Sequence, residues 1–304
     1  MRLLTRADFD GLACAVLLKE MGIVDDLKLI HPKDVQDGKV EVTKDDVLAN
    51  VPYVPGCGLW FDHHSSEEER LSMDGKFEGD SRPAPSAARV IYEYYGGEEK
   101  LGKFSGFLDA VDKSDTASFT IDDIRNPEGW TLLSFIMDPR TGLGRYHDYR
   151  ISNYELMEEL TDLCRTKTLE ELLEVQDVKQ RIERYLKDQE VFLDMLKDRS
   201  KSDGNVIILD IRGMQHIPAG NRFMIYTEYP DQNVSIRVLD GKKNLNTVFA
   251  VGHSILNRTC KTDIGSLMLK YGGGGHKAVG TCQVQNEDAD RVLSELVDEM
   301  KKNG

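Results

Sequence analysis

A short apolar run that ends in a charged triplet restricts the fold of this chain more than any other feature. Leu59-Trp60-Phe61 has the composition of a buried strand, and Asp62-His63-His64 follows it directly. A carboxylate and two imidazoles are costly to bury unless they bind a ligand. Because ligands bind beyond the carboxyl ends of strands in open α/β sheets, the triplet suits a metal ion that holds a phosphate. The alternative is a set of ordinary loop residues.

The sequence around this run alternates between strand and helix patterns. Asp8 and Asp10 lie in the first strand-to-helix turn, where Gly11 allows a tight bend. Strands are predicted at 2–5, 26–30, 47–51 and 59–61, and helices at 12–20 and 85–95. The alternation predicts an α/β fold in which residues 1–150 form a doubly wound, mainly parallel sheet domain.

The second half of the chain divides into a helical stretch and a region rich in strands. Residues 154–199 have a helical pattern, with a heptad-like stripe from Val175 to Leu196 whose members lie three and four residues apart. This predicts a helical linker at 151–202 and leaves a homodimer seam open as an alternative. A loop is predicted at 201–205. Beyond it the predicted strands are 206–211, 223–229, 234–239 and 248–251, and the predicted helices are 264–271 and 289–301. Residues 203–304 are therefore expected to form a smaller α+β domain.

Four consecutive glycines, Gly272, Gly273, Gly274 and Gly275, precede His276. Ordering them costs more conformational entropy than ordering other residues, so the run needs a reason. One reason is close approach of the backbone to an anion, with N–H groups and the histidine around it. The alternative, a helix cap that leads into a linker, needs a single glycine.

Charge and composition limit the partners of the chain. The net charge of −14 disfavours duplex DNA and favours small phosphorylated substrates drawn in by local positive charge. No apolar run reaches the length of a membrane span, so no membrane partner is expected. The five cysteines form no CxxC pair, which is typical of a reduced, cytoplasmic protein.

Four motifs occur in the order found in one protein family. The segment 5–11, the triplet 62–64, the segment 115–119 and the segment 272–276 together resemble the DHH phosphoesterase superfamily, including its associated C-terminal domain. The resemblance implies a hydrolase of phosphate esters that depends on Mn²⁺, with one or two ions and Mg²⁺ as the alternative metal.

The resemblance also implies roles for residues of the N-terminal half. Asp8, Asp10, His63 and Asp115 would be metal ligands, with Asp112 left open as an alternative to Asp115. In addition, Asp62 would orient an imidazole without binding the metal itself.

Further roles concern the phosphate. His64 would approach the scissile phosphate, while Arg237 and the segment 272–276 would bind substrate phosphate or nucleotide. The chain departs from the family at two positions. Arg6 stands near the place of a metal-binding histidine. Asn50 stands near the place of an aspartate that bridges two metals, and its carbonyl would be a neutral and weaker metal ligand. One metal site is therefore expected to be weak or missing, with Arg6 holding phosphate instead.

The function predicted from these features is metal-dependent hydrolysis of phosphate esters in short oligonucleotides or small nucleotides. Exopolyphosphatase is the alternative enzyme. A non-catalytic sensor of nucleotide or phosphate is the alternative of another class, and it is disfavoured because a pure binder need not keep Asp8, Asp10 and the Asp-His-His triplet.

Overall fold

The computed structural model describes residues 1–64 and 77–303, which form two compact units. The first unit comprises Met1–Ser118 and Pro127–Arg184, and the second comprises Phe119–Asn126 and Tyr185–Gly304. The division falls inside a long helix, Gln176–Arg199, so the segment predicted as a linker is shared between the units. The functional division at 1–150, 151–202 and 203–304 stays a prediction.

A five-stranded parallel sheet forms the centre of the first unit. Its strands are β1 (Arg2–Thr5), β2 (Asp26–Leu29), β3 (Asp46–Ala49), β4 (Leu59–Asp62) and β5 (Gly79–Ser81). Their order is β2-β1-β3-β4-β5, which confirms the doubly wound parallel sheet predicted from the sequence. Because the order reverses between β1 and β3, the ligand crevice is expected beyond the carboxyl ends of these two strands.

Helices follow most of the strands of this sheet. In chain order the helices are α1 (Phe9–Glu20), α2 (Pro32–Gln36), α3 (Ala87–Tyr94), α4 (Glu98–Leu101), α5 (Ser105–Asp115), α6 (Ile121–Arg125), α7 (Gly129–Met137), α8 (Asn153–Thr166), α9 (Leu169–Leu173) and α10 (Gln176–Arg199). Helix α6 belongs to the second unit, and α10 spans both. Residues Phe9 to Leu18 of α1 are all buried, as expected for a helix of Ala, Leu and Val covered on several sides.

An aromatic cluster holds β4 in place beside β3. Trp60 is fully buried, and its indole N–H donates to the Val51 carbonyl at 2.9 Å. The rings of Tyr53 and Phe77 lie 5.2 and 4.9 Å from the Trp60 ring. Burial of this size fixes the register of β4 and thereby the position of the polar triplet that follows it.

The second unit contains a six-stranded mixed sheet. Its strands are β6 (Ser200–Asp203), β7 (Val206–Asp210), β8 (Val234–Asp240), β9 (Thr247–His253), β10 (Gly274–His276) and β11 (Val279–Val284), and its later helices are α11 (Met224–Glu228), α12 (Ile264–Leu269) and α13 (Ala289–Lys302). The strand order is β10-β11-β9-β8-β7-β6, and only the β7–β8 pair is parallel. Alternate residues of β8 and β9 face the core, as the period of a half-buried strand requires.

Two sequence predictions in this unit are wrong. The segment 223–229, predicted as a strand from its aromatic and β-branched residues, forms α11, and the Asn221 side chain accepts from the Phe223 N–H at its start. Phe223 to Tyr226 are all buried, and such a short apolar run does not distinguish a strand from a buried helical turn. The predicted loop at 201–205 is largely β6, which forms a hairpin with β7 through Gly204 at φ +60°.

Two further observations concern the helices. The buried stripe of α10 includes Tyr185, Phe192 and Leu196, which lie within this chain's own core, and the homodimer stays untested. Among the described residues, no helix is long and apolar enough to cross a membrane.

Candidate metal centre

Polar side chains collect at the carboxyl ends of β1, β3 and β4 in the first unit. Asp8 follows β1, Asn50 follows β3, and Asp62 is the last residue of β4, with His63 and His64 directly after it. Asn50 adopts the left-handed conformation, with φ 55°, and its N–H donates to the Phe61 carbonyl at 3.1 Å. Asparagine tolerates this conformation better than most residues, so the turn places its amide firmly at the sheet edge.

Asp10 is fixed by the start of helix α3. Its carboxylate is 2% exposed and accepts hydrogen bonds from the N–H groups of Ala87 and Ala88, at 2.9 and 2.8 Å. These N–H groups have no partner inside the helix, and the positive end of the helix dipole favours a carboxylate there. The arrangement holds Asp10 in a single orientation.

His63 directs one ring nitrogen towards two carboxylates. Its Nδ1 lies 3.1 Å from the Ala84 carbonyl, which can only accept, so Nδ1 carries the proton. Nε2 lies 3.3 Å from Asp115 Oδ2 and 3.8 Å from Asp10 Oδ2, and it has no hydrogen-bond partner among the described residues. Ligand atoms of Asp10, His63 and Asp115 lie within 4.8 Å of one another, which is the spacing of groups around a metal ion.

His64 is held by the buried carboxylate of Asp62. Its Nδ1 lies 2.8 Å from Asp62 Oδ1, and its ring lies 4.3 Å from the ring of His63. Burial lowers the pKa of His64, but the hydrogen bond and charge of Asp62 outweigh it, so the pKa is raised overall. The Asp62–His64 pair therefore favours a protonated imidazole beside the metal ligands, and in this structure Asp62 orients His64.

Asp8 faces three hydrogen-bond donors. Its Oδ2 lies 3.0 Å from Arg6 Nε, and its Oδ1 accepts from Asn50 Nδ2 at 3.1 Å and from the Gly11 N–H at 3.0 Å. The clusters of ligand atoms found among the described residues are Asp10 with His63 and Asp115, and Asp62 with His63 and His64. Of the carboxylates predicted as ligands from the sequence, Asp10 and Asp115 thus lie in one cluster and Asp8 lies outside both.

The structure distinguishes Asp112 from Asp115, which the sequence left open. Both oxygens of Asp112 accept hydrogen bonds, from the Ser86 hydroxyl at 2.6 Å and from Arg89 Nε at 2.7 Å. Asp115, one helical turn later at the end of α5, faces His63. Asp112 therefore connects α5 to α3, while Asp115 is the carboxylate that lies in the cluster with Asp10 and His63.

The donor set fits a divalent cation. Burial, followed by the charges of Asp115 and Asp8, raises the pKa of Asp10 well above its usual range, and burial also raises that of Asp115. A cation would remove this repulsion between carboxylates. Besides His63 Nε2, Asn50 Oδ1 is a buried acceptor that has no hydrogen-bond partner among the described residues.

Two contributors were missed by the sequence analysis. Arg140 lies in a 3₁₀ turn and donates to Asp138 at 2.7 Å. Burial lowers its pKa, but the charge and hydrogen bond of Asp138, followed by the charges of Asp8 and Asp115, raise it overall. Nothing in the pattern around Arg140 signals this placement. Ser86 had a usable signal, because a serine before an apolar run is a typical helix N-cap.

The predicted phosphate-binding residues of the C-terminal half lie in the second unit. Arg237 is half-buried in β8, on the face opposite the core residues Ile236 and Val238. The glycine run follows α12, and Gly274 to His276 form β10, which pairs with β11. The run is therefore an ordered part of the sheet.

Each glycine of the run has a different local setting. Gly272 has φ +73° and caps α12, and its N–H and that of Gly273 donate to the Leu269 and Met268 carbonyls. A Cβ on Gly273 would lie 2.0 Å from the Thr281 carbonyl oxygen, and one on Gly275 would lie 2.2 Å from that of Val279.

Gly274 is different, because a Cβ there would meet nothing within 4 Å and its φ is not positive. The N–H groups of Gly272 and Gly273 already donate to carbonyls of α12. Fewer N–H groups of the run are therefore left for the predicted anion site. At position 274, therefore, neither the backbone conformation nor the packing requires a glycine.

Comparison with known proteins reveals a relative of high similarity over the whole chain. It is a pGpG-specific phosphodiesterase, PggH, from Vibrio cholerae, with 46% sequence identity and a TM-score of 0.85 over 100% of this chain and 99% of that one. No protein-family model matches the chain, and no curated protein does.

More distant solved structures share the fold alone. A DHH domain described as belonging to a family of ribosomal proteins is 13% identical, with a TM-score of 0.61 over 99% of this chain and 86% of that one. RecJ from Thermus thermophilus in complex with Mn²⁺ is 14% identical, with a TM-score of 0.51 over 99% of this chain and 52% of that one.

Proposed function

Because the chain belongs to the DHH phosphoesterase superfamily, we propose that it hydrolyses the phosphodiester bond of short guanine dinucleotides such as pGpG. It is a metal-dependent phosphoesterase of small oligonucleotides. The choice of pGpG as the substrate rests on the 46% sequence identity, over nearly the full length of both chains, to a pGpG-specific phosphodiesterase. The products would be guanosine monophosphates.

The ion is proposed to be Mn²⁺, with Mg²⁺ as the alternative. Asp10, His63 and Asp115 would hold it, because two carboxylates and an imidazole are a mixed oxygen and nitrogen set that suits Mn²⁺. When bound there, the cation supplies Lewis acidity, which lowers the pKa of water and polarises phosphoryl oxygens.

The chain's own residues would position and neutralise the phosphate. Asp62 holds His64 so that its Nε2, on the far side of the ring from the Asp62 contact, is the atom proposed to approach the phosphate. Arg6, with 34% of its side chain exposed, and Arg140 bring permanent positive charge to the carboxylate cluster. In the second unit, Arg237, Gly274 and His276 are proposed to bind phosphate or nucleotide.

The test is a comparison of substrates. Purified protein with Mn²⁺ is expected to convert pGpG to guanosine monophosphate, to cleave pApA more slowly, and to lose both activities with a chelator. Release of phosphate from polyphosphate without dinucleotide cleavage would favour the exopolyphosphatase. Tight binding of pGpG without turnover, and without any need for metal, would favour the sensor.

The choice of Asp115 over Asp112 gives a prediction for three isosteric variants. Asp115→Asn is expected to lower kcat by about 10²-fold or more, because a charged ligand becomes a neutral one. Asp112→Asn should mainly lower the free energy of unfolding, by about 1–3 kcal/mol, since it weakens contacts to Ser86 and Arg89. Steady-state kinetics and urea unfolding measure both effects.

Asp109→Asn serves as the control for these variants. Asp109 lies on the same helix with 75% of its side chain exposed, so both activity and stability are expected to stay near the wild-type values. Loss of bound Mn²⁺ in Asp112→Asn, with retention in Asp115→Asn, would reverse the assignment.

The remaining partners and the location are proposals of the same kind. Small phosphorylated substrates follow from the family, and the acidic chain is proposed not to bind duplex DNA. All five cysteines are unpaired thiols, which supports the proposed cytoplasmic location.

A further inference from the structure

The contacts of Asp8 set it apart from the other carboxylates of the centre. A carboxylate that binds a cation must direct an oxygen lone pair towards it. In Asp8, Oδ2 faces Arg6 Nε at 3.0 Å, while Oδ1 faces both Asn50 Nδ2 and the Gly11 N–H. The protein's own donors therefore satisfy Asp8, whereas Nε2 of His63 faces Asp10 and Asp115 without a donor between them.

The amide of Asn50 is oriented by the same carboxylate. Its NH₂ group points at Asp8, because the opposite orientation would place two acceptor oxygens against each other. Asn50 is 1% exposed and its backbone is fixed by the hydrogen bond to Phe61, so the amide cannot turn away without a cost. Towards Asp8, Asn50 thus offers a donor where a metal ligand would have to be an acceptor.

Arg6 brings a permanent charge to this position. A guanidinium stays protonated at any pH at which the protein is folded, and it repels a divalent cation placed on the same carboxylate. Its contact with Asp8 uses Nε, and a third of the side chain is exposed. The guanidinium therefore has room to meet a phosphate oxygen on the side away from Asp8.

From these contacts we propose that the first unit binds a single divalent cation at Asp10, His63 and Asp115, and that the Arg6 guanidinium, held by Asp8, takes the place of a second cation beside it. Arg6 then neutralises substrate phosphate directly, while Asn50 keeps Asp8 turned towards Arg6. The inference rests on the proposed function, because it concerns the metal centre of that activity.

The first test is the metal content of the wild-type protein. Protein loaded with excess Mn²⁺ and then desalted is expected to hold a single ion per chain by elemental analysis, with the electron paramagnetic resonance spectrum of an isolated Mn²⁺. A second tightly bound ion, with the spectrum of a spin-coupled pair, would overturn the inference. If pGpG were still cleaved in that case, the proposed function would stand; absence of any bound ion together with absence of cleavage would overturn both.

A double variant tests the cause. Arg6→His with Asn50→Asp removes the guanidinium and exchanges an amide donor for a carboxylate beside Asp8, and Asp tolerates the left-handed conformation at position 50. This variant is expected to gain a second, spin-coupled Mn²⁺. A folded double variant that still binds a single ion would contradict the role given to Arg6 and Asn50.

A single variant tests whether Arg6 acts as a charge or as a support, and it stays informative if the double variant does not fold. Arg6→Gln is expected to bind Mn²⁺ at least as tightly as the wild type, because repulsion of the cation falls, while the KM for pGpG rises about 10-fold. Weaker Mn²⁺ binding would instead show that Arg6 supports the ligands. Arg2→Gln is the matched control, because Arg2 pairs with Asp46 at the other end of β1 and should change neither quantity.

Discussion

Replacing His63 by alanine is expected to lower turnover of pGpG by about 10³-fold or more, while the protein stays folded. His63 is the residue common to both clusters of potential ligands, and its Nε2 lies within 4 Å of two carboxylates. Its loss would remove the nitrogen ligand of the proposed cation. Steady-state kinetics with Mn²⁺ and a thermal melt measure the two parts of this prediction.

His63 gives a cleaner test than Asp10 does. An alanine at position 10 would leave the N–H groups of Ala87 and Ala88 without their acceptor at the start of α3, so lost activity would be mixed with lost stability. His147→Ala, at an exposed histidine of the same unit, is the control and should retain activity. Wild-type turnover by a folded His63→Ala protein would refute the metal centre proposed here.

Replacing Gly273 by alanine is expected to destabilise the second unit by about 3 kcal/mol or more, since the added methyl group overpacks a site lined by backbone. Its Cβ would lie 2.0 Å from the Thr281 carbonyl oxygen and 2.7 Å from Cys282 Cα, and neither atom belongs to a flexible side chain. Strand β10 would have to separate from β11. The midpoint of urea unfolding measures this effect, and a midpoint equal to that of the wild type would refute the packing argument.

Gly274→Ala is the matched variant with the opposite expectation. Nothing lies within 4 Å of the added carbon, so the free energy of unfolding should change by less than about 1 kcal/mol. If substrate phosphate approaches this part of the backbone, the KM for pGpG should rise about 10-fold, because the methyl group occupies the space. An unchanged KM would remove Gly274 from the proposed binding surface.

The parallel sheet and the order of the main elements were predictable from the sequence. Apolar strands with polar residues at their carboxyl ends, such as Leu59-Trp60-Phe61 before Asp62, report both burial and the position of the open edge. The predicted strand 2–5 matches β1, and the predicted helix at 289–301 matches α13 within a residue at its end. Periodicity carries this information because each of these segments has its solvent-facing and core-facing residues in regular order.

The errors have a physical cause in tertiary context. The segment 223–229 begins with four consecutive buried apolar or aromatic residues, Phe223 to Tyr226, so its pattern does not separate a strand from a helix. The short strand β10 consists largely of glycines, which have no side chain to produce a pattern. In both cases the conformation depends on the segment against which the residues pack, and that segment cannot be identified from a single sequence.

The chemistry of the site was predicted only in part for a similar reason. The sequence identified the acidic and histidine residues but could not tell which of them would be engaged by other groups of the protein. Asp112 faces Ser86 and Arg89, and Asp8 faces Arg6 and Asn50, and these contacts depend on the folded geometry. Arg140 shows the same limit, because its proximity to the carboxylates arises from a loop distant in sequence.

The position of Asp115 at the end of α5 has a consequence for how the centre comes into being. Asp10, His63 and Asp115 are supplied by three widely separated parts of the chain, and Asp112, on the same helix as Asp115, docks α5 on α3 through Ser86 and Arg89. During synthesis the ribosome delivers the first two groups well before the third. At the proposed centre a nascent chain therefore lacks the full set of ligands until α5 has emerged and docked, which would make metal uptake a late event in the maturation of the protein.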